Sequence, residues 1–352
     1  MSHVSRRGTK ATLNEWIQYL GLRGSAALIQ CFDLDQNLHT AASIGRLYAH
    51  LARKRRTRAI ENIQRCFPEM TTEQAEGLAI QSVEHLFQLF ILDSLAMPRL
   101  LTPASWPEYV QIGKLGSSLD MLLKRQPAIF ITGHCGNWEL LGYTLSLLGF
   151  PMSALARPID NPLVNDWFLG VREARGMEII TKWGGTEKVQ KILRSGGRIG
   201  FIADQNAGDD GLFVPFFNRL ASSYKSIGLL AMRYKVPIVA GLARRLDGRF
   251  KYELAATDFI WPQDWEDQPD PLFYITARFN RAMENMVRQA PDQYLWLHRR
   301  WKSRPKFERQ SLEFPAKLRT KLESLPWMTQ DMLDQILENS RKDTLELAAG
   351  AA

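Results

Sequence analysis

The sequence lacks any run of about 18 uninterrupted apolar residues, the length that a membrane-spanning helix requires. Residues 16–32 come closest, but Arg23 and several polar side chains interrupt them. An apolar signal-peptide core followed by a cleavage site is also missing. We therefore expect a protein that does not cross a bilayer, although it can lie along one.

Cysteine is scarce, since the 352 residues contain only Cys31, Cys66 and Cys135. Three scattered thiols exclude a disulfide framework and a cysteine-based zinc site, and they fit a reducing compartment. A nucleophilic Cys135 beside His134 would suggest a covalent intermediate. Adjacent side chains of an extended segment point to opposite sides, however, so His134 is poorly placed to deprotonate this thiol. We expect Cys135 to be a small packed residue.

Acidic residues are few at the N-terminal end. The whole chain has a net charge of +8, and residues 1–65, with 11 Lys and Arg against four acidic residues, carry +7 of it. The composition, 45% hydrophobic and 23% charged, excludes global disorder, and the length is sufficient for a large core. The sequence has no internal repeat and no low-complexity segment.

The cations at residues 53–58, called here the basic block, are compatible with nucleic acid, with an anionic bilayer or with a solvated helix face. Apolar residues precede the block at helical spacing: Ala41, Ile44, Leu47, Tyr48 and Leu51. This pattern predicts a basic amphipathic helix at an anionic membrane surface. The alternative is that the same apolar stripe packs against the protein core.

Beyond residue 127 the pattern alternates between strands and helices, which predicts an α/β fold with a mixed, largely parallel central sheet flanked by helices. Residues before 127 are helical in pattern throughout. We divide the chain into a basic helical membrane-association region (1–70), an α/β domain (71–305) and a polar helical tail (306–352). Predicted strands are 128–132, 151–156, 177–181, 198–203 and 237–243; predicted helices are 160–175, 186–194, 225–234 and 272–288.

The most informative motif joins a predicted strand to a predicted helix. Gly133 and Gly136 permit a sharp turn, Asn137 is a candidate helix cap, and Glu139 falls in the first helical turn, where the helix dipole favours a carboxylate. His134 lies just before this helix, at the carboxyl end of the strand, where open α/β sheets bind ligands. We interpret His134 as a general base that Glu139 orients. The alternative is a histidine satisfied by nearby backbone.

Three further segments carry candidate chemistry. Arg157 ends a strand and suits a phosphate or the charge developing on a thioester carbonyl, or it forms a salt bridge with a nearby Asp. Residues 213–217 are apolar enough to line an acyl groove, or they form a core edge strand. Residues 294–304 alternate aromatic and basic side chains, which occurs in nucleic-acid grooves and in membrane-interface belts. We favour the membrane and expect no nucleic acid.

The sequence resembles the bacterial lipid A late acyltransferases and their relatives that acylate mannosylated phosphoinositides. An earlier Arg…Asn…Phe-Pro pattern also fits at residues 58–68. Four blocks occur in the family's order: Gly133-His134-Cys135-Gly136-Asn137-Trp138-Glu139; Arg157-Pro158 with Asn161-Pro162; Asp204-Gln205 followed by Gly211 and residues 213–217; and Trp296-Leu297-His298-Arg299-Arg300-Trp301-Lys302.

The resemblance implies an acyltransferase that moves a fatty acyl chain from an acyl carrier protein or coenzyme A thioester to a hydroxyl of a membrane glycolipid such as a lipid A precursor. It implies His134 and Glu139 as the catalytic pair and substrate-binding roles for Arg157, Asp204, Gln205 and Asn137. We expect no cofactor and no metal, and a peripheral or monotopic position on the cytoplasmic face of the inner membrane. Open alternatives are acylation of a lysophospholipid or phosphoinositide-type glycolipid, thioester hydrolysis, and a non-enzymatic basic binding module.

Overall fold

The computed structural model describes residues 11–113, 117–156, 158–173, 176–180 and 185–350. Its centre is a seven-stranded sheet with helices packed around it, and most neighbouring strands run parallel. The α/β class with a mixed, largely parallel sheet is therefore confirmed.

The sheet has the strand order β1-β9-β8-β2-β5-β3-β4, and only the β8–β9 pair is antiparallel. A separate antiparallel hairpin consists of β6 and β7. The strands are β1 (Val110–Ile112), β2 (Ala128–Thr132), β3 (Ser153–Leu155), β4 (Glu178–Ile180), β5 (Arg198–Ile202), β6 (Leu212–Phe216), β7 (Arg219–Ser223), β8 (Ile238–Arg245) and β9 (Tyr252–Ile260).

Helices precede the sheet, connect its strands and follow it. They are α1 (Leu13–Ile29), α2 (Leu34–Leu51), α3 (Arg53–Cys66), α4 (Thr72–Phe87), α5 (Ser94–Leu100), α6 (Trp106–Tyr109), α7 (Ser117–Leu123), α8 (Trp138–Leu147), α9 (Pro162–Glu173), α10 (Gly185–Arg194), α11 (Lys225–Tyr234), α12 (Pro262–Trp265), α13 (Pro271–Gln289), α14 (Lys306–Arg309), α15 (Ala316–Glu323) and α16 (Gln330–Gly350). A π-helical turn (Gln88–Asp93) joins α4 to α5, and a 3-10 turn (Pro291–Gln293) follows α13.

Strand β2 lies at the middle of the sheet, between β5 and β8. All five of its residues are buried, as expected for a parallel strand that is covered on both faces. Because β2 and β5 are parallel neighbours, their carboxyl ends meet at the same edge. The residues that follow these two strands are therefore brought together in space.

The predicted amphipathic helix is α2, but its apolar residues divide between two faces. Ala41 is buried, and Gly45 packs closely on α4, where an added Cβ would lie 3.0 Å from the carbonyl oxygen of Val83. Leu47 and Leu51, by contrast, are 59% and 74% exposed. The alternative in which the whole stripe packs on the protein core is therefore wrong.

Helix α1 also carries exposed apolar side chains. We call the exposed apolar residues of α1 and α2 the N-terminal apolar face; they are Leu13, Trp16, Ile17, Leu20, Leu28, Ile44, Leu47 and Leu51. Among the described residues, none of the helices combines the length and the apolar character needed to cross a membrane.

The C-terminal segment packs on the main core. Leu333 and Ile336 of α16 are buried in the cluster that surrounds the sheet. Buried Arg304 donates hydrogen bonds to Glu308 (Nε to Oε2, 2.7 Å) and to Asp343. This ion-pair cluster joins the end of the predicted α/β domain to the predicted tail, while the domain boundaries themselves stay predictions.

Three elements differ from the expectations. Residues before 127 are not helical throughout, because they include the edge strand β1, which pairs with β9. Strand β9, which the sequence analysis did not predict, is antiparallel to β8 and does not follow a crossover helix. The β6–β7 hairpin turns at Phe217 and Asn218, both with positive φ (53° and 49°), as two-residue hairpin turns of type I′ require.

Candidate functional site

His134 follows β2 directly after Gly133, and its side chain is 12% exposed. Its Nδ1 lies 2.7 Å from Oδ1 of Asp204, and its backbone N–H donates to Oδ2 of the same carboxylate at 2.8 Å. Asp204 follows β5, the parallel neighbour of β2. Sheet topology thus places an imidazole and a carboxylate together at one edge.

The carboxylate of Asp204 is fully buried. Burial by itself raises the pKa of this group, but the charge of His134 and the hydrogen bonds from its ring and backbone outweigh burial and lower the pKa to about 2. An ionised carboxylate at Nδ1 requires the proton of the imidazole on that nitrogen. In the neutral ring Nε2 is then the basic nitrogen, and this is the tautomer that a general base needs.

Two rings flank His134. Trp138 approaches edge-on with the ring centroids 4.9 Å apart, and His298 does the same at 4.5 Å. Burial lowers the pKa of His298 to about 4, and the charge of His134 acts in the same direction, so this second imidazole is neutral near pH 7. His298 was not among the predicted site residues, although its position in the Trp-x-His-Arg-Arg block was a usable signal.

Backbone hydrogen bonds fix the turn that carries His134 to the segment that carries His298. The N–H of Leu295 donates to the carbonyl of His134 at 2.9 Å, and the N–H of Gly136 donates to the carbonyl of Gln293 at 3.0 Å. Cys135 forms an antiparallel bridge with Tyr294. The two segments are therefore held as one local unit.

Asn137 caps α8 as predicted, because its Oδ1 accepts from the N–H of Leu140 at 2.9 Å. Its Nδ2 donates to buried Asp93, which also pairs with Arg245. Gly136 adopts φ 62°, and a Cβ there would come within 2.2 Å of the carbonyl oxygen of Ala243, so the turn requires glycine. Asn137 thus holds the turn in shape, and its substrate-binding role stays a prediction.

Glu139 lies in the first turn of α8, as the sequence predicts. The predicted His134–Glu139 pair is not confirmed, because Nδ1 of His134 is hydrogen-bonded to Asp204. Glu139 instead lines a cavity behind the turn. Its catalytic role stays a prediction.

This cavity has a volume of about 240 Å³ and lies between α8 and one face of the sheet. Apart from Glu139 and Thr132, its wall is apolar. Trp138 both lines the cavity and contacts the ring of His134, so the apolar space begins next to the imidazole. The larger side chains of the wall include Leu122, Phe130, Leu141, Leu145, Phe150, Met152 and Met177.

The remaining predicted residues have different outcomes. Arg157 lies outside the described residues. Gln205 is exposed next to Asp204, and its substrate role stays a prediction. Phe216 and Phe217 are buried in the main core, which favours the core-strand interpretation of residues 213–217. Cys135 is buried and its pKa is raised well above the usual value by burial and by the charge of Asp204, so it is packed and unreactive.

The site contains potential metal ligands, but two of them are already hydrogen-bonded to each other. His134, Asp204 and His298 each offer an atom, and these atoms lie within 4.8 Å of one another. In the arrangement observed, however, Nδ1 of His134 and Oδ1 of Asp204 are engaged with each other. Metal independence stays a prediction.

Comparisons with known proteins identify the family of this chain. The sequence profile described as bacterial lipid A biosynthesis acyltransferase matches residues 6–303. The lipid A biosynthesis lauroyltransferase of Escherichia coli (strain K12) is 23% identical over 299 residues, covering 82% of this chain and 92% of that protein. The palmitoleoyltransferase of the same organism is 24% identical over 270 residues (74% and 83%), and its myristoyltransferase is 24% identical over 274 residues (75% and 80%). The chain belongs to the bacterial lipid A biosynthesis acyltransferase family.

Proposed function

We propose that this protein transfers a fatty acyl chain from a thioester donor to a hydroxyl of a lipid A precursor. The observation that carries the proposal is the His134–Asp204 pair next to an apolar cavity. Relatives named as lauroyl-, palmitoleoyl- and myristoyltransferases of lipid A biosynthesis support the substrate class. Acyl carrier protein is the donor we favour, with coenzyme A as the second candidate.

In the proposed reaction, Nε2 of His134 removes the proton of the acceptor hydroxyl as its oxygen attacks the thioester carbonyl. The new C–O bond gives a tetrahedral intermediate with negative charge on the former carbonyl oxygen. Collapse of this intermediate breaks the C–S bond, and the proton on His134 passes to the departing sulfur. The products are an ester and a free thiol.

Asp204 acts on His134 and not on the substrate. Its carboxylate fixes the ring through Nδ1 and stabilises the imidazolium that forms during the reaction. The bond from the backbone N–H of His134 to the same carboxylate prevents the pair from rotating apart. Arg157 keeps its predicted role in holding an anionic group, and Glu139 remains a candidate second carboxylate.

The cavity is the proposed acyl site. Its apolar wall removes a hydrocarbon chain from water, which contributes about 0.8 kcal/mol for each buried methylene. Because Trp138 both lines this space and contacts the ring of His134, a chain seated in the cavity can present its carbonyl carbon beside His134. The size of the cavity then limits the length of the acyl chain.

The N-terminal apolar face is the proposed membrane contact. Leu47 and Leu51 lie on the solvent side of α2, and the exposed cations Arg53, Lys54 and Arg55 follow at once. An apolar stripe beside cations suits the headgroup region of an anionic leaflet, where each cation contributes about 1 kcal/mol. We place this contact on the cytoplasmic face of the inner membrane, peripheral or monotopic.

The function is tested by incubating the purified protein with acyl carrier protein thioesters and a lipid A precursor and analysing the products by mass spectrometry. The wild-type protein should add one acyl chain to the lipid, and His134→Ala should not. Release of free fatty acid without acylated lipid would assign the protein as a thioester hydrolase. Activity only on lysophospholipids would move the acceptor to that class.

A further inference from the structure

The ring of His298 packs directly against the ring of His134. The two ring centroids are 4.5 Å apart, and one nitrogen of each imidazole lies within 4.8 Å of the other and of a carboxylate oxygen of Asp204. Nδ1 of His134 is directed at Asp204, whereas no hydrogen bond involves the ring nitrogens of His298 among the described residues. The imidazole of His298 therefore lies beside His134 with its N–H not engaged by any of the described residues.

Hydrogen bonds from two other segments hold the backbone of the segment that carries His298. Asn62 of α3 donates from Nδ2 to the carbonyl of Trp296 at 3.0 Å and to the carbonyl of His298 at 3.1 Å. The same segment is bound to the His134 turn through Leu295 and Gln293. These contacts hold the backbone of His298 next to the His134 turn before substrate arrives, and a preorganised position of this kind favours stabilisation of developing charge.

We propose that His298 is a catalytic residue that donates a hydrogen bond to the oxyanion of the tetrahedral intermediate. This inference rests on the proposed acyl transfer and adds a role to the same site. When the acceptor oxygen bonds to the thioester carbon, the carbonyl oxygen gains the negative charge, and the N–H of His298 stabilises it. His298 keeps its proton throughout, while His134 takes and returns the proton that moves.

The lowered pKa of His298 agrees with its role as a hydrogen-bond donor beside the base His134. Burial and the neighbouring His134 keep His298 neutral, so it does not compete as a cation for Asp204. A neutral imidazole still carries one N–H donor. Removing a single oxyanion donor typically lowers kcat by about 10²–10³-fold.

The test compares His298→Leu, which removes the donor, with His298→Gln, which keeps an N–H donor. Acyl transfer to lipid and hydrolysis of the donor by water are both measured, because both pass through the same oxyanion. We expect His298→Leu to lower kcat for both reactions by about 100-fold or more with little change in KM, and His298→Gln to recover at least about tenfold. His39→Leu, which alters an exposed histidine of α2, is the control and should match the wild type.

Retention of kcat within about threefold in a folded His298→Leu protein would overturn the inference, and so would equal losses in the Leu and Gln variants. If His298→Leu does not fold, as judged by its melting temperature, His298→Met against His298→Gln gives the same comparison. A wild-type protein that transfers no acyl group to lipid would instead refute the proposed function.

Discussion

Asp204→Asn keeps the shape of the side chain but removes its negative charge and one of its two acceptor oxygens. The carboxylate accepts two hydrogen bonds from His134, one from Nδ1 at 2.7 Å and one from the backbone N–H at 2.8 Å. An amide has a single acceptor oxygen and cannot satisfy both donors. If that oxygen accepts from the backbone, the NH₂ group faces Nδ1, and the ring must take the tautomer with its proton on Nε2, which cannot act as a base.

The magnitude follows from the pKa of Asp204. The charge and hydrogen bonds of His134 lower this pKa from 3.8 to about 2 although burial opposes the change, which corresponds to a stabilisation of the ionised form on the order of 2 kcal/mol. Losing an interaction of that size in the transition state slows the reaction by more than tenfold. The wrong tautomer adds to the loss, and in a Ser-His-Asp triad the equivalent change costs about 10⁴. We therefore expect kcat of Asp204→Asn to fall by about 10²–10⁴.

The assay measures initial rates of acyl transfer for Asp204→Asn, Glu139→Gln and the control Asp209→Asn. Asp209 lies in the same loop, is exposed and pairs with Arg309 at 3.1 Å, so its amide should leave the rate unchanged. Melting temperatures show whether each variant is folded. A folded Asp204→Asn protein with a rate within about threefold of the wild type would refute the reasoning, and a selective loss in Glu139→Gln would return the orienting role to Glu139.

Three further outcomes are expected. Gly142→Leu, which places a side chain in the cavity, should shift the donor preference to shorter acyl chains, with about fourfold lower kcat/KM for each methylene excluded. The control Gly77→Leu, on the exposed side of α4, should not change this preference. Equal chain-length profiles for the two variants would contradict the acyl site. Leu47→Glu should weaken binding to anionic vesicles by at least about tenfold in co-sedimentation, whereas the same change at exposed Leu312 should have little effect. A larger loss of vesicle binding in the Leu312 variant than in the Leu47 variant would refute the membrane contact. Burial, with the charge of Arg245 adding to it, lowers the pKa of His85 from 6.5 to about 3, so the contribution of neutral His85 to stability is complete above pH 6.5 and is lost as the pH falls towards 3. In urea titrations over this range, His85→Gln should lose less stability than the wild type, by up to about 1.4 kcal/mol per pH unit. Parallel curves of stability against pH for the two proteins would contradict the assignment.

Local signals in the sequence were sufficient for the elements around His134. A short apolar run predicts β2, and an Asn followed by an amphipathic pattern predicts the cap of α8 with Glu139 in its first turn. These features depend on residues within one turn of each other. Sequence reasoning is therefore reliable for them.

The partners of His134 depend on strand order, which a single sequence does not reveal. Asp204 follows at a separation of 70 residues and reaches His134 only because β5 is the neighbour of β2. Proximity in the chain favours the pairing of His134 with Glu139 over the pairing with Asp204. The same reasoning does not reveal His298, since a turn beyond α13 carries it to the site.

The N-terminal apolar face shows a related limit. Helical spacing correctly predicts an apolar stripe on α2, but it does not show which members of the stripe contact α4. Packing against Val83 and Glu84 selects Gly45 and its neighbours, and Leu47 and Leu51 remain on the outside.

The most direct test of the central claim is the rate of acyl transfer from acyl carrier protein thioester to a lipid A precursor by wild-type and His134→Ala proteins of equal melting temperature. The account predicts acylated lipid from the wild type and a loss of at least about 10³-fold in the variant, because the base that removes the hydroxyl proton is gone. Equal rates in the two proteins would contradict it.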